Sequence, residues 1–104
     1  MNNKNTYKPK NLLIAGHKLA IEYRKDFDDF GQFNVDRMTI IIRDSLTPKE
    51  TLSTIIHESV HAILALSGLS YLIDDESKEE ALVRAIDYLL IPIIKRELKA
   101  FNES

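Results

Sequence analysis

The sequence predicts an α+β domain in which a small antiparallel sheet of three to four strands precedes two helices. Three observations carry this. β-Branched runs are confined to the first part of the chain, two helix-start signals open the second part, and 104 residues make one domain's worth of chain. Residues 1–10 form a flexible start, 11–45 a β-rich part and 46–104 a helical part.

Residues 1–10 carry Asn, Lys and Pro without periodicity, the composition of a frayed terminus. Gly16-His17 reads as a hairpin turn between strands over Leu12–Ala15 and Lys18–Tyr23. A charged loop with Phe27 and Phe30 as anchors runs to Gly31, and Met38–Arg43 is β-branched enough to be a strand. We expect that strand to be an exposed edge, open to pairing with an extended peptide.

Thr47-Pro48-Lys49-Glu50 announces a helix, with Thr47 as N-cap, Pro48 at the first helical position and Glu50 closing a capping box. Leu52, Ile55, Ile56, Val60, Ile63 and Leu66 recur at helical spacing, and Ser67-Gly68 is the stop, giving a helix from Pro48 to Leu66. A second capping box, Ser77 to Glu80, opens a helix through Leu90, which Pro92 kinks or ends. Lys95 to Ser104 reads as a solvated helical tail.

A net charge of -2 and a pI near 5.9 leave no basic surplus for phosphate, so nucleic acid is not an expected partner. The start lacks an apolar h-region, and the longest apolar stretch, Tyr88 to Ile94, is short and interrupted by Pro92. We therefore expect a cytoplasmic protein without membrane association; no oligomeric state is legible. Without cysteine, a metal can be held only by His and carboxylate. Asp26, Asp28 and Asp29 lack the pattern of a calcium loop.

The first helix contains His57-Glu58-Ser59-Val60-His61, an H-E-x-x-H sequence. Residues four apart share a helix face, so both imidazoles can reach one cation. Glu58 then lies beside the open coordination position, where a carboxylate takes a proton from water. The apolar stripe centres between Leu52 and Ile63; both histidines fall well away from it, with Glu58 beyond them, so these are not core histidines. From Ser53 to Leu66 the only ionised group is Glu58, unlike a face left to water.

A catalytic zinc takes three protein ligands and keeps one position open. The second helix offers Glu79 and Glu80. Downstream of Glu79 on its face lie Leu82, Val83 and Ile86, whereas Glu80 shares its face with Arg84 and Asp87 and is the acidic partner of Ser77. Facing favours Glu79 over Glu80 without eliminating Glu80. His17, Tyr23 and Tyr71 are weaker candidates for stabilising an oxyanion.

H-E-x-x-H with a glutamate on the next helix resembles the gluzincin arrangement, in particular the short phage-encoded metallopeptidases of ImmA/IrrE type. Their second helix reads E-x-x-A-N-x-F-A-x-x-L-L-M-P, and Glu79 through Leu89-Leu90-Ile91-Pro92 follows that frame. The resemblance covers residues 46 to 92 and implies zinc bound by His57, His61 and Glu79, with Glu58 as general base. The family's Asn is Val83 here and its Phe-Ala pair is Ala85-Ile86. A residue orienting a ligand histidine is thus missing or comes from elsewhere.

These readings converge on a zinc-dependent metallopeptidase, a hydrolase that cuts a protein or peptide substrate through a metal-activated water. The alternative is a non-catalytic module in which zinc clamps two helices and the surface binds another protein. Glu58 favours catalysis, because a purely structural site gains nothing from it.

Overall fold

The computed structural model describes residues 6–73 and 75–104. Four strands, β1 (Asn11–Ile14), β2 (His17–Arg24), β3 (Gly31–Asn34) and β4 (Thr39–Arg43), precede three helices, α1 (Pro48–Ser67), α2 (Glu76–Ala85) and α3 (Ile91–Glu103). A 3₁₀ turn over Leu69–Leu72 links α1 to α2, and a π turn over Ile86–Leu90 links α2 to α3. Among the described residues no helix is long and apolar enough to cross a membrane.

The sheet order is β1-β2-β4-β3. β1 and β2 form a hairpin whose two turn residues are Ala15 (φ 50) and Gly16 (φ 81), not Gly16-His17. Two successive left-handed residues match the twist of the flanking strands. The expectation of a purely antiparallel sheet fails at its centre, where β2 and β4 run parallel. Parallel neighbours need a crossover longer than a hairpin turn. Here the chain passes outward through the loop after β2, runs along β3 and returns as β4.

β4 is therefore interior rather than an edge, and Thr39, Ile40, Ile41 and Ile42 are all buried. The edges are β1 and β3. Arg43 fastens the loop before β3, donating to the carbonyls of Phe27 and Asp28 and stacking over the Phe30 ring. Lys8, Pro9 and Lys10 lie against the sheet: Lys8 pairs with Asp44, Tyr23 donates to the Pro9 carbonyl and Ile21 N–H to Lys10. Residues 1–5, half of the expected flexible start, lie outside the described residues.

The start of α1 is the capping box the sequence predicts: Glu50 N–H donates to Thr47 Oγ1 at 3.1 Å and Thr47 N–H to Glu50 Oε1 at 3.0 Å. Gly68, at φ 79, ends it. The apolar residues of α1 do not form one stripe. One set, Ile55 and Ala62, meets Leu19, Ile21, Ile40 and Ile42 of the sheet. Another, Val60 and Leu64, meets Val83 of α2. Leu52 and Ile63, expected at the centre of the buried stripe, are 36% and 46% exposed. The expected centre lies on the face between the two stripes, and that face meets water.

The second helix starts two residues earlier than Ser77 predicts. Asp75 is its N-cap, accepting from the backbone N–H of Ser77 and Lys78, and Ser77 Oγ donates to it as well. The Ser77 hydroxyl is itself spent as a donor to this charged acceptor and does not cap a later start, and those bonds hold the Asp75 carboxyl below its ordinary range. Glu80 is thereby free of the cap. Pro92 neither ends nor sharply breaks the helical path. The turn before it is wound wide, with Ile91 N–H reaching Ile86 O, and this relieves the clash between the proline ring and the preceding turn's carbonyl. No residue of α3 is buried.

Candidate functional site

His57 and His61 occupy the second gap between the two apolar stripes of α1, looking into a cleft bounded by β3, α1, α2 and the π turn. That gap explains why they avoid both cores without facing bulk water. α2 crosses in front of them, placing three carboxylates around the two rings. His57 Nδ1 is 2.5 Å from Asp87 Oδ2, and His61 Nδ1 is 2.6 Å from Glu79 Oε2. The two Nε2 atoms meet a single carboxylate, at 3.2 Å from Glu80 Oε1 and 3.3 Å from Glu80 Oε2. Donor atoms of His57, His61 and Glu80 all lie within 4.8 Å of one another.

The residues of the predicted set are thus brought together, with one exchange. Glu79 faces inward as the apolar pattern implies, but its carboxylate stands behind His61 and not between the rings. Glu80 takes the inner position because Asp75 has replaced Ser77 as the cap. Asp87, in the sequence only a polar neighbour on the Glu80 face, holds His57. Val83, at the position where the resemblance implies an orienting Asn, is 0% exposed in the α1–α2 core. The orienting partners come instead from Glu79 and Asp87.

The donor set itself suits a cation. Carboxylates only accept, so a hydrogen bond to each Nδ1 keeps the proton there and leaves the Nε2 lone pair facing inward. Both Nε2 atoms then confront the Glu80 oxygens as acceptors opposite acceptors. A positive charge between them, a metal ion or a second proton on each ring, turns that repulsion into attraction. Two imidazole nitrogens and a carboxylate oxygen are ligands that zinc takes in catalytic sites.

Glu58 is 8% exposed and sits where α1 meets β3. Burial pushes its carboxyl above the ordinary value, and Glu80 adds to that, while His57, His61 and the backbone N–H of Phe33 draw it back. Tyr88, Ile91, Pro92 and Lys95 line the far wall of the cleft. Tyr88 was not singled out in the sequence, where it reads as one more large residue before Pro92. None of the three weaker candidates lines the cleft. Tyr23 donates to Pro9 O at 2.7 Å, and burial, with Tyr7 and Asp44 nearby, pushes its hydroxyl up to about 12. Tyr71 is 93% exposed.

No family model matches this chain, and no curated protein or solved structure does so either.

Proposed function

We propose that this chain is a zinc-dependent peptidase in which His57, His61 and Glu80 hold the metal and Glu58 is the general base. The observation that carries the reading is the convergence of both Nε2 atoms on Glu80 beside a buried glutamate, Glu58. A bound zinc supplies a Lewis acid for the peptide carbonyl and makes an attacking water more acidic.

The chain's own residues do the rest. Asp87 and Glu79 keep the Nδ1 protons in place and fix the planes of the two rings. Glu58 accepts a proton from the attacking water and returns it to the departing amine, so that the C–N bond breaks with no net change at the carboxylate. Burial suits it for both halves, since a carboxyl raised above its ordinary value is a stronger base and holds the proton long enough to deliver it. Edge strand β3, which lines the cleft, replaces Met38–Arg43 as the strand that receives an extended substrate.

The test uses zinc-reconstituted parent protein and Glu58→Gln, with a protein partner captured by the variant as substrate. The parent should bind about one zinc and cut the partner, whereas Glu58→Gln should bind zinc equally and cut at least ~100-fold more slowly. A parent that binds both zinc and partner but never cuts would leave the clamp reading in its place. Failure to bind zinc removes both.

A further inference from the structure

We infer that Gly31 is a positioning residue for Glu58, because the absence of a side chain there lets β3 seat directly against the helix that carries the base. This rests on the proposed role of Glu58. Gly31 opens β3 with an ordinary extended backbone, so no left-handed φ calls for glycine. A strand gains packing from any side chain, and glycine in one marks a close approach. The neighbours are specific. A Cβ at Gly31 would lie 2.5 Å from Thr54 Cγ2, 3.0 Å from Ile41 O and 3.3 Å from Glu58 Cγ.

Thr54 cannot yield by rotating. Its hydroxyl donates to Glu50 O at 2.7 Å, it is 7% exposed, and a threonine in a helix has few rotamers. The methyl is therefore fixed toward the strand. Thr54 and Glu58 stand four apart on α1, one above the other on the face that meets β3. Two residues further along β3, the Phe33 N–H stabilises the ionised Glu58 carboxylate. In the antiparallel register the Phe30–Arg43 pair is hydrogen-bonded, so Gly31 and Phe33 alternate to the outer side, away from β4. The contact that Gly31 permits and the amide that Phe33 turns outward thus act on the same side chain. A methyl at residue 31 pushes β3 and α1 apart, and the base moves with them.

The experiment compares the full-length parent with Gly31→Ala and with Gly31→Ala/Thr54→Ser, which removes the obstructing methyl but keeps the bond to Glu50. Three quantities are read: zinc affinity, hydrogen exchange of the Phe33 amide, and kcat on unfolded casein with zinc bound. Gly31→Ala should keep zinc affinity within ~3-fold, exchange its Phe33 amide at least ~10-fold faster, and lose at least ~10-fold in kcat, since a misplacement near 1 Å costs up to ~100-fold. The double variant should recover most of both losses. Parent-like exchange and turnover in Gly31→Ala overturns the inference, and so does a Gly31→Ala loss that Thr54→Ser leaves untouched. If the parent leaves casein intact while exchange follows this pattern, β3 holds the glutamate, and turnover is read on the partner captured by Glu58→Gln, whose survival uncut is what defeats the peptidase reading.

Discussion

The two adjacent glutamates of α2 carry different charges of responsibility, and neutralising each separates them. An ion at ordinary coordination distance sits ~2 Å from a ligand oxygen. For a doubly charged ion at an effective dielectric near 20, the Glu80 charge then contributes ~17 kcal/mol of attraction. Glu79 acts from behind the ring, 2.6 Å beyond His61 Nδ1. Its charge is ~6 to 7 Å from an ion on the Nε2 side, worth ~5 kcal/mol by the same rule. If returning hydration offsets three quarters of each, Glu80→Gln loses ~4 kcal/mol, close to 1,000-fold, and Glu79→Gln ~1.3 kcal/mol, close to 10-fold. The second figure agrees with the ~10- to 100-fold usual for partners of a ligand histidine. Competition titration against a chromophoric chelator measures both. Melting of the metal-free proteins checks that Glu80→Gln leaves the helix start intact, because the cap belongs to Asp75. A larger loss for Glu79→Gln, or equal losses, would refute the assignment.

Glu58→Gln should raise the melting temperature of the metal-free protein at neutral pH, because the fold holds this carboxyl above its usual 4.5. The sign follows from linkage: a raised pKa stabilises the fold below the ordinary value and loses that contribution as pH rises through the folded one. Parent stability should accordingly fall across the range above pH 4.5 relative to Glu58→Gln, as melts at stepped pH would show. Tyr23→Phe should cost ~1 kcal/mol, or ~4 to 8 °C for a domain of this size, by removing the bond to Pro9. In the parent the Tyr23 phenol should titrate near 12 by absorbance, and the stability it lends should fade above pH 10. Val83→Ala should cost ~1 to 3 kcal/mol in denaturant unfolding and weaken zinc binding in parallel, since this fully buried side chain anchors α2 against Val60 and Leu64.

The helical half was the more legible. Thr47, Pro48 and Glu50 announce α1 through local chemistry alone, and the four-residue spacing of His57 and His61 needs no tertiary information. That Glu80 and not Glu79 meets both Nε2 atoms follows from the cap lying at Asp75 and not at Ser77, which shifts the helix start by a small step and frees one glutamate. Asp87 was in view seven residues after Glu80, on the same face. Its partner is 30 residues away, and only the crossing of two helices brings them together. The parallel pairing of β2 with β4 depends on where the loop after Arg24 sends the chain, which no local pattern encodes. The consecutive Ile40, Ile41 and Ile42 did carry a signal: an unbroken apolar run marks a strand covered on both sides, not an edge.

The two apolar clusters are separate, and the consequence reaches folding. One joins the sheet to α1, the other joins α1 to α2 through Val60, Leu64 and Val83 with Ile73 and Ile86 at its margin. The second is much the smaller, so the amides of α2 should open to solvent at lower free energy than those of β2 and β4. Two candidate ligands sit on the sturdier unit and the third on the looser one. An ion gripped by His57, His61 and Glu80 would therefore couple a late-closing segment to an early-formed one, merging two cooperative units into a single transition. Metal supply would then govern the lifetime of the intact chain, since an ion-free form would open at α2 first and be cut there by proteases.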